Sequence, residues 1–182
     1  MRHALFAALL AAAPVSAATC PEAPDHSGTL AQLVDEVRAA PDEQTARLLS
    51  NRMWQLWAEA PDRAAQDLLD AGMERRDVAD FEGAAKAFDA LVAYCPDYAE
   101  GYNQRAFANY LRGEHRAALP DLQRARALSP QHTGVLTGLA LTLMALERRG
   151  EAVLVLREAL EINPWLSERH LLPALEAGEQ EL

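Results

Sequence analysis

A chain of 182 residues, half of them apolar, is long enough to form one domain around a buried core. Its 27 acidic residues outnumber 17 basic ones; the net charge of −10 has the wrong sign for a groove that grips phosphate backbones or an anionic membrane face. Alanine and leucine dominate while β-branched and aromatic residues are sparse, so the composition leans towards helix.

The chain opens with a short positive start, Met1-Arg2-His3, followed by an apolar run over 4–15 interrupted by Pro14, and then by the small residues Ser16, Ala17 and Ala18. This is the pattern of an export signal over residues 1–18, with an uncleaved N-terminal anchor as the alternative. Cleavage would leave a periplasmic or secreted chain without an integral membrane span, and the loss of Arg2 would set 16 basic against 27 acidic residues. A lipid-anchor signal is not expected, because Ala17 and Thr19 occupy the places where it needs a leucine and a small residue before Cys20. Cys20 and Cys95 are the two cysteines; in an oxidising compartment they form a disulfide or remain two free thiols, and no further Cys or well-spaced His makes a metal site with them. The single lysine among many arginines fits a GC-rich bacterial coding bias.

Residues 19–64 read as a tail and a helical pair. Leu30, Leu33, Val34 and Val37 give a helical face over 29–39, Pro41 ends it, and a second helix over 42–60 carries Leu48, Leu49, Met53, Trp54, Leu56 and Trp57. The pair falls where a degenerate repeat preceding those that follow would lie, and Trp54 and Trp57, three apart, are expected in the core.

Three prolines then recur at intervals of 34 residues, Pro96, Pro130 and Pro164, and with them residues 65–98, 99–132 and 133–166 align. Position 8 is Gly72, Ala106 and Ala140; position 20 is Ala84, Ala118 and Ala152; position 24 is Phe88, Leu122 and Leu156. Small residues stand where two antiparallel helices approach closely, and large ones fill the space between them. One helix pair cannot bury its own apolar side, so three stack into a continuous core. After Pro164, residues 167–182 are expected to give a short or bent capping helix, with Trp165, Leu166, Leu171, Leu172 and Leu175 covering the last repeat ahead of a frayed tail.

This pattern resembles the tetratricopeptide repeat (TPR) family. The middle copy carries the resemblance best, with Tyr102, the turn glycine Gly113, Ala118, Leu122, Ala125 and Pro130. The first copy has Ala79 at the turn; the third has Glu147, with Gly150 three residues later, which leaves the place of that turn open. The resemblance implies an all-α fold, a right-handed superhelix of three repeats flanked by extra helices. It also implies a concave groove lined by the first helix of each repeat, at positions 2, 5, 9, 12 and 13. Carried over, these give Leu69, Met73 and Arg76, then Asn103, Phe107 and Tyr110, then Thr137 and Leu141 as the peptide-contacting residues. Asn103 would hold a peptide backbone group at donor and acceptor together. The family's basic clamp for a C-terminal carboxylate is not expected, since position 5 holds Leu69, Asn103 and Thr137 and the only lysine, Lys86, falls on a second helix. The implied function is a non-enzymatic adaptor for a protein or peptide with apolar and some basic character. The alternatives are a structural subunit of a cell-envelope assembly or a self-associating scaffold, a homo-oligomer. No nucleophile elbow, paired-histidine zinc motif or phosphate loop is present, and no cofactor or metal is expected.

Overall fold

The computed structural model describes residues 19–179, so the expected export signal lies outside the described residues. Six helices form three antiparallel pairs in the expected register: α3 (Arg63–Asp77) with α4 (Phe81–Tyr94), α5 (Ala99–Leu111) with α6 (His115–Leu128), and α7 (Thr133–Ala145) with α8 (Arg149–Ile162). They are preceded by α1 (Ser27–Arg38) and α2 (Glu43–Trp57), and followed by a 3-10 turn (Ser167–Leu171) and α9 (Leu172–Glu179). Among the described residues the fold is an all-α solenoid without strands.

Each turn inside a pair needs one residue in the left-handed region, and all three fall at position 15: Ala79 at φ 62°, Gly113 at 78° and Glu147 at 61°. The same long closing bond follows each of them, from Asp80 N to Arg75 O, Glu114 N to Asn109 O and Arg148 N to Leu143 O, the Schellman arrangement. The third turn therefore keeps the register at Glu147, and Gly150 lies inside α8. Helix starts are capped by Asp42, Asp62 and Asp80, which accept from the backbone N–H of Thr45, Ala65 and Gly83. Those bonds hold the Asp42 and Asp80 carboxyls below the usual range; for Asp62 the larger cause is the hydroxyl of Tyr94 donating at 2.6 Å.

Inside the pairs, the small residue at position 8 is matched to the large one at position 24. A Cβ on Gly72 would stand 2.3 Å from Cε1 of Phe88, whose ring is fully buried. In the next two repeats Ala106 and Ala140 accompany the slimmer Leu122 and Leu156. Gly72→Ala is therefore expected to destabilise by about 1–3 kcal/mol through overpacking, although alanine is the better helix former by about 1 kcal/mol. Adding Phe88→Leu should recover most of the loss. Urea unfolding of the single and double variants checks this, and a Gly72→Ala protein as stable as wild type would refute the matching.

Arg105 on α5 reaches Asp121 on α6 of its own repeat at 2.6 and 2.8 Å, and crosses to Asp89 on α4 of the preceding repeat at 2.9 Å. Its hydrogen bond to Asp121 is the main reason its guanidinium is held even more firmly charged than usual.

The N-terminal pair does not stack ahead of α3 as a degenerate repeat. The open side of α3 carries Asp67, Asp70 and Glu74, too polar to bury a preceding helix. Instead α2 runs along the edge where one repeat passes into the next. Glu43 meets Arg169 at 3.0 Å, Ser50 accepts from Asn163 at 2.9 Å, and Trp57 stacks on His132 with ring centroids 3.9 Å apart. The Tyr98 hydroxyl donates to Trp57 O at 3.1 Å, and Arg38 at the end of α1 donates to Glu161 O at 2.7 Å. Leu33, Val34, Val37, Ala46, Met53 and Trp57 thus share one buried cluster with the second and third repeats, while the first repeat keeps a cluster of its own around Leu69, Phe88 and Leu91. Trp54 stays largely outside this core, in contrast to Trp57. A disulfide joins Cys20 to Cys95, the residue that ends α4 (Cα–Cα 5.1 Å). At the other end Leu175 is buried in the core shared with the last repeat, and Trp165, Leu166, Leu171 and Leu172 are half-buried against that same core.

Candidate functional site

The first helices of successive repeats, α3, α5 and α7, lie side by side. Between α5 and α7 is a depression of about 230 Å³. Asn103, Phe107 and Tyr110 line it from α5, four and three residues apart and so on one face. Thr137 and Leu141 line it from α7 by the same spacing, and Gly134 adds no side chain to that wall. The 3-10 turn after the third repeat contributes Glu168.

Phe107, 44% exposed, is the most open apolar side chain of the depression. Arg76 from α3 lies over its ring, 5.5 Å from the centroid, a cation–π contact. The same guanidinium pairs with Asp77 at 2.8 Å and donates to Gln104 Oε1. Tyr110 packs at a tilt against His115, with ring centroids 4.9 Å apart. The surface offered to a ligand is thus aromatic and aliphatic, with amide and hydroxyl groups around it.

Behind this surface runs a chain of buried polar groups. Val135 N donates to His132 Nδ1 at 3.4 Å, which leaves Nε2 to carry the ring proton and donate to Glu100 Oε2 at 2.9 Å. Asn103 Nδ2 donates to the same Glu100 oxygen at 2.9 Å, and Gln104 Nε2 donates to the other at 2.6 Å. Glu100 and His132 are each 1% exposed. Through Gln104 the chain reaches Arg76 and hence Phe107; through the stacked rings of His132 and Trp57 it reaches α2.

The structure brings Asn103, Phe107, Tyr110, Thr137 and Leu141 together. Arg76 adjoins them, and Met73 is half-buried against the first-repeat core. Leu69 does not belong to the groove surface: it is wholly buried with Phe88 and Tyr98. Asn103 is not an open amide either, since it is buried and its N–H₂ is held by Glu100. Position 5 is the floor in every repeat, as Thr137 is buried too, and positions 9 and 12 are more open, half-buried except for the exposed Phe107. Gln104, Gly138, Thr142 and Glu168 also line the depression. For Glu168 a signal existed, because it falls 34 residues after Gly134, at position 2 of a fourth register. Among the described residues no group of His, Cys, Asp and Glu is placed to hold a metal ion, and no helix is long and apolar enough to cross a membrane.

Residues 110–170 match the tetratricopeptide repeat family. A TPR repeat-containing protein of Rhizobium etli is 29% identical over 118 residues, covering 63% of this chain and 56% of that protein. The tetratricopeptide repeat protein 36 homolog of Nematostella vectensis is 39% identical over 61 residues, 34% of each chain. This chain therefore spans about half the length of the first relative and a third of the second. Among solved structures, the first TPR domain of Spaghetti (RPAP3), bound to the HSP90 peptide SRMEEVD, superposes with a TM-score of 0.62 at 20% identity over 64% of this chain and 93% of that one. The fold is a tetratricopeptide-repeat solenoid.

Proposed function

We propose that this protein is a non-enzymatic adaptor that holds a polypeptide segment in the depression between α5 and α7. The observation that carries this reading is the open Phe107 ring, set among the half-buried Tyr110 and Leu141 over a floor of buried amides and hydroxyls in a lined recess. Exposed aromatic anchors with a polar surround are the usual centre of a binding surface. That the Spaghetti domain holds a peptide supports the reading by analogy of fold. We also place the protein in an exported, oxidising compartment, the periplasm or the exterior. The opening residues 1–18 and the Cys20–Cys95 bond support that placement, since such bonds persist where thiols are not kept reduced.

The test is a photo-crosslinking amino acid at Phe107, with one at Lys86 on the exposed side of α4 as control. The expected result is capture of a polypeptide at Phe107 and not at Lys86, reduced about tenfold by Leu141→Asp through loss of an apolar contact and burial of a charge. Equal capture at both positions, or capture only of further copies of the chain, would remove the groove reading in favour of a self-associating scaffold.

A further inference from the structure

The depression has one charged side chain in its lining, Glu168, and that residue lies outside the three repeats. It comes from the 3-10 turn that follows Pro164, where the chain occupies the place of a fourth first helix. It accepts from the Ser167 hydroxyl at 3.0 Å and forms no ion pair among the described residues. The neighbouring cation does not neutralise it: Arg169 donates to Trp165 O and Leu166 O and pairs with Glu43. Across the recess, Arg76 is already paired with Asp77 and lies on the Phe107 ring. The groove therefore presents an apolar and aromatic surface beside one uncompensated carboxylate, on a chain of net charge −10.

Resting on the groove reading above, we infer that Glu168 selects the occupant: a peptide segment in which a lysine or arginine stands beside a bulky apolar residue. The apolar side chain lies on Phe107 and Leu141, and the cation meets the Glu168 carboxylate while passing the ring of Tyr110. A partly enclosed carboxylate at the rim of an apolar recess gives more discrimination than affinity, because an acidic segment there meets both repulsion and lost solvation. The ring faces add a second preference of the same sign.

The test is a randomised heptapeptide phage library panned against the protein with its disulfide intact, in parallel with Glu168→Gln, Glu168→Lys and Leu141→Asp. For the wild type, Lys and Arg should exceed Asp and Glu beside apolar residues by about fivefold, the scale of a rim ion pair. Glu168→Gln changes the total charge by a single unit, so a general attraction to an acidic protein would survive it; the expected result is loss of the preference, and its inversion with Glu168→Lys. If selected peptides depend on Leu141 but keep the same basic preference in Glu168→Gln, or never had one, the inference fails and the groove reading stands. If no selected peptide depends on Leu141, both fall.

Discussion

Glu100→Ala is expected to lower the unfolding free energy by about 3–5 kcal/mol, because it strands three buried hydrogen-bond donors at about 1–3 kcal/mol each, partly relieved by relaxation. The carboxyl is 1% exposed and accepts from His132, Asn103 and Gln104. Alanine leaves all three donors without their acceptor, and each such orphan is costly. The loss also spreads. His132 carries the stacked Trp57, so the contact between α2 and the loop edge weakens, and Gln104 no longer has both its partners for positioning Arg76. His132→Ala removes one donor and the stacking surface but leaves Glu100 two bonds. A double-mutant cycle should therefore give a coupling of about 1–3 kcal/mol between Glu100 and His132. Urea unfolding followed by circular dichroism measures both quantities. A cost below about 1 kcal/mol for Glu100→Ala would mean that solvent replaces the carboxyl and that the set does not hold the hairpin to the repeats.

That polar set explains where sequence reading succeeded and where it stopped. The 34-residue period recurs because the helix starts and turns within it are marked locally, by the caps at Asp62 and Asp80 and the turns at positions 79, 113 and 147. It also named a face of α5, and Phe107 and Tyr110 lie on it. Register, however, says which residues share a face and not how deep each one sits. Asn103 reads as a free amide until Glu100, one turn earlier on the same helix, is seen to hold it, and Leu69 reads as a groove residue until Tyr98 and Phe88 are seen around it. The same limit applies to α1 and α2. Val37, Met53 and Trp57 announce an apolar face, but its receiving surface, the turns that carry Tyr98, His132 and Asn163, is assembled from segments up to 113 residues away. Glu100 and His132, 32 residues apart, have no reason to be paired until the second and third repeats stack.

Loss of the disulfide carries the other large effect. The bond spans 75 residues, so closing that loop in the unfolded chain is worth about 4 kcal/mol by chain entropy, and about 2–4 kcal/mol is expected after native-state adjustment. Cys20→Ser is the cleaner variant, because Cys20 is half-exposed whereas Cys95 is buried and a serine there would add an unsatisfied hydroxyl. The hairpin keeps Trp57 on His132 and Ser50 on Asn163 without the bond. The segment ahead of Ser27 should thus open first and become sensitive to protease, while the repeats remain folded. Thermal unfolding of the wild type with and without a thiol reductant makes the decisive comparison. Reductant should bring the wild type to the stability of Cys20→Ser and leave that variant unchanged. Equal stability of oxidised and reduced protein would show that strain in the native state or residual structure in the unfolded chain offsets the entropic gain. A difference of the expected size, set against the 5–15 kcal/mol typical of a domain, would make the fold substantially firmer where thiols are oxidised.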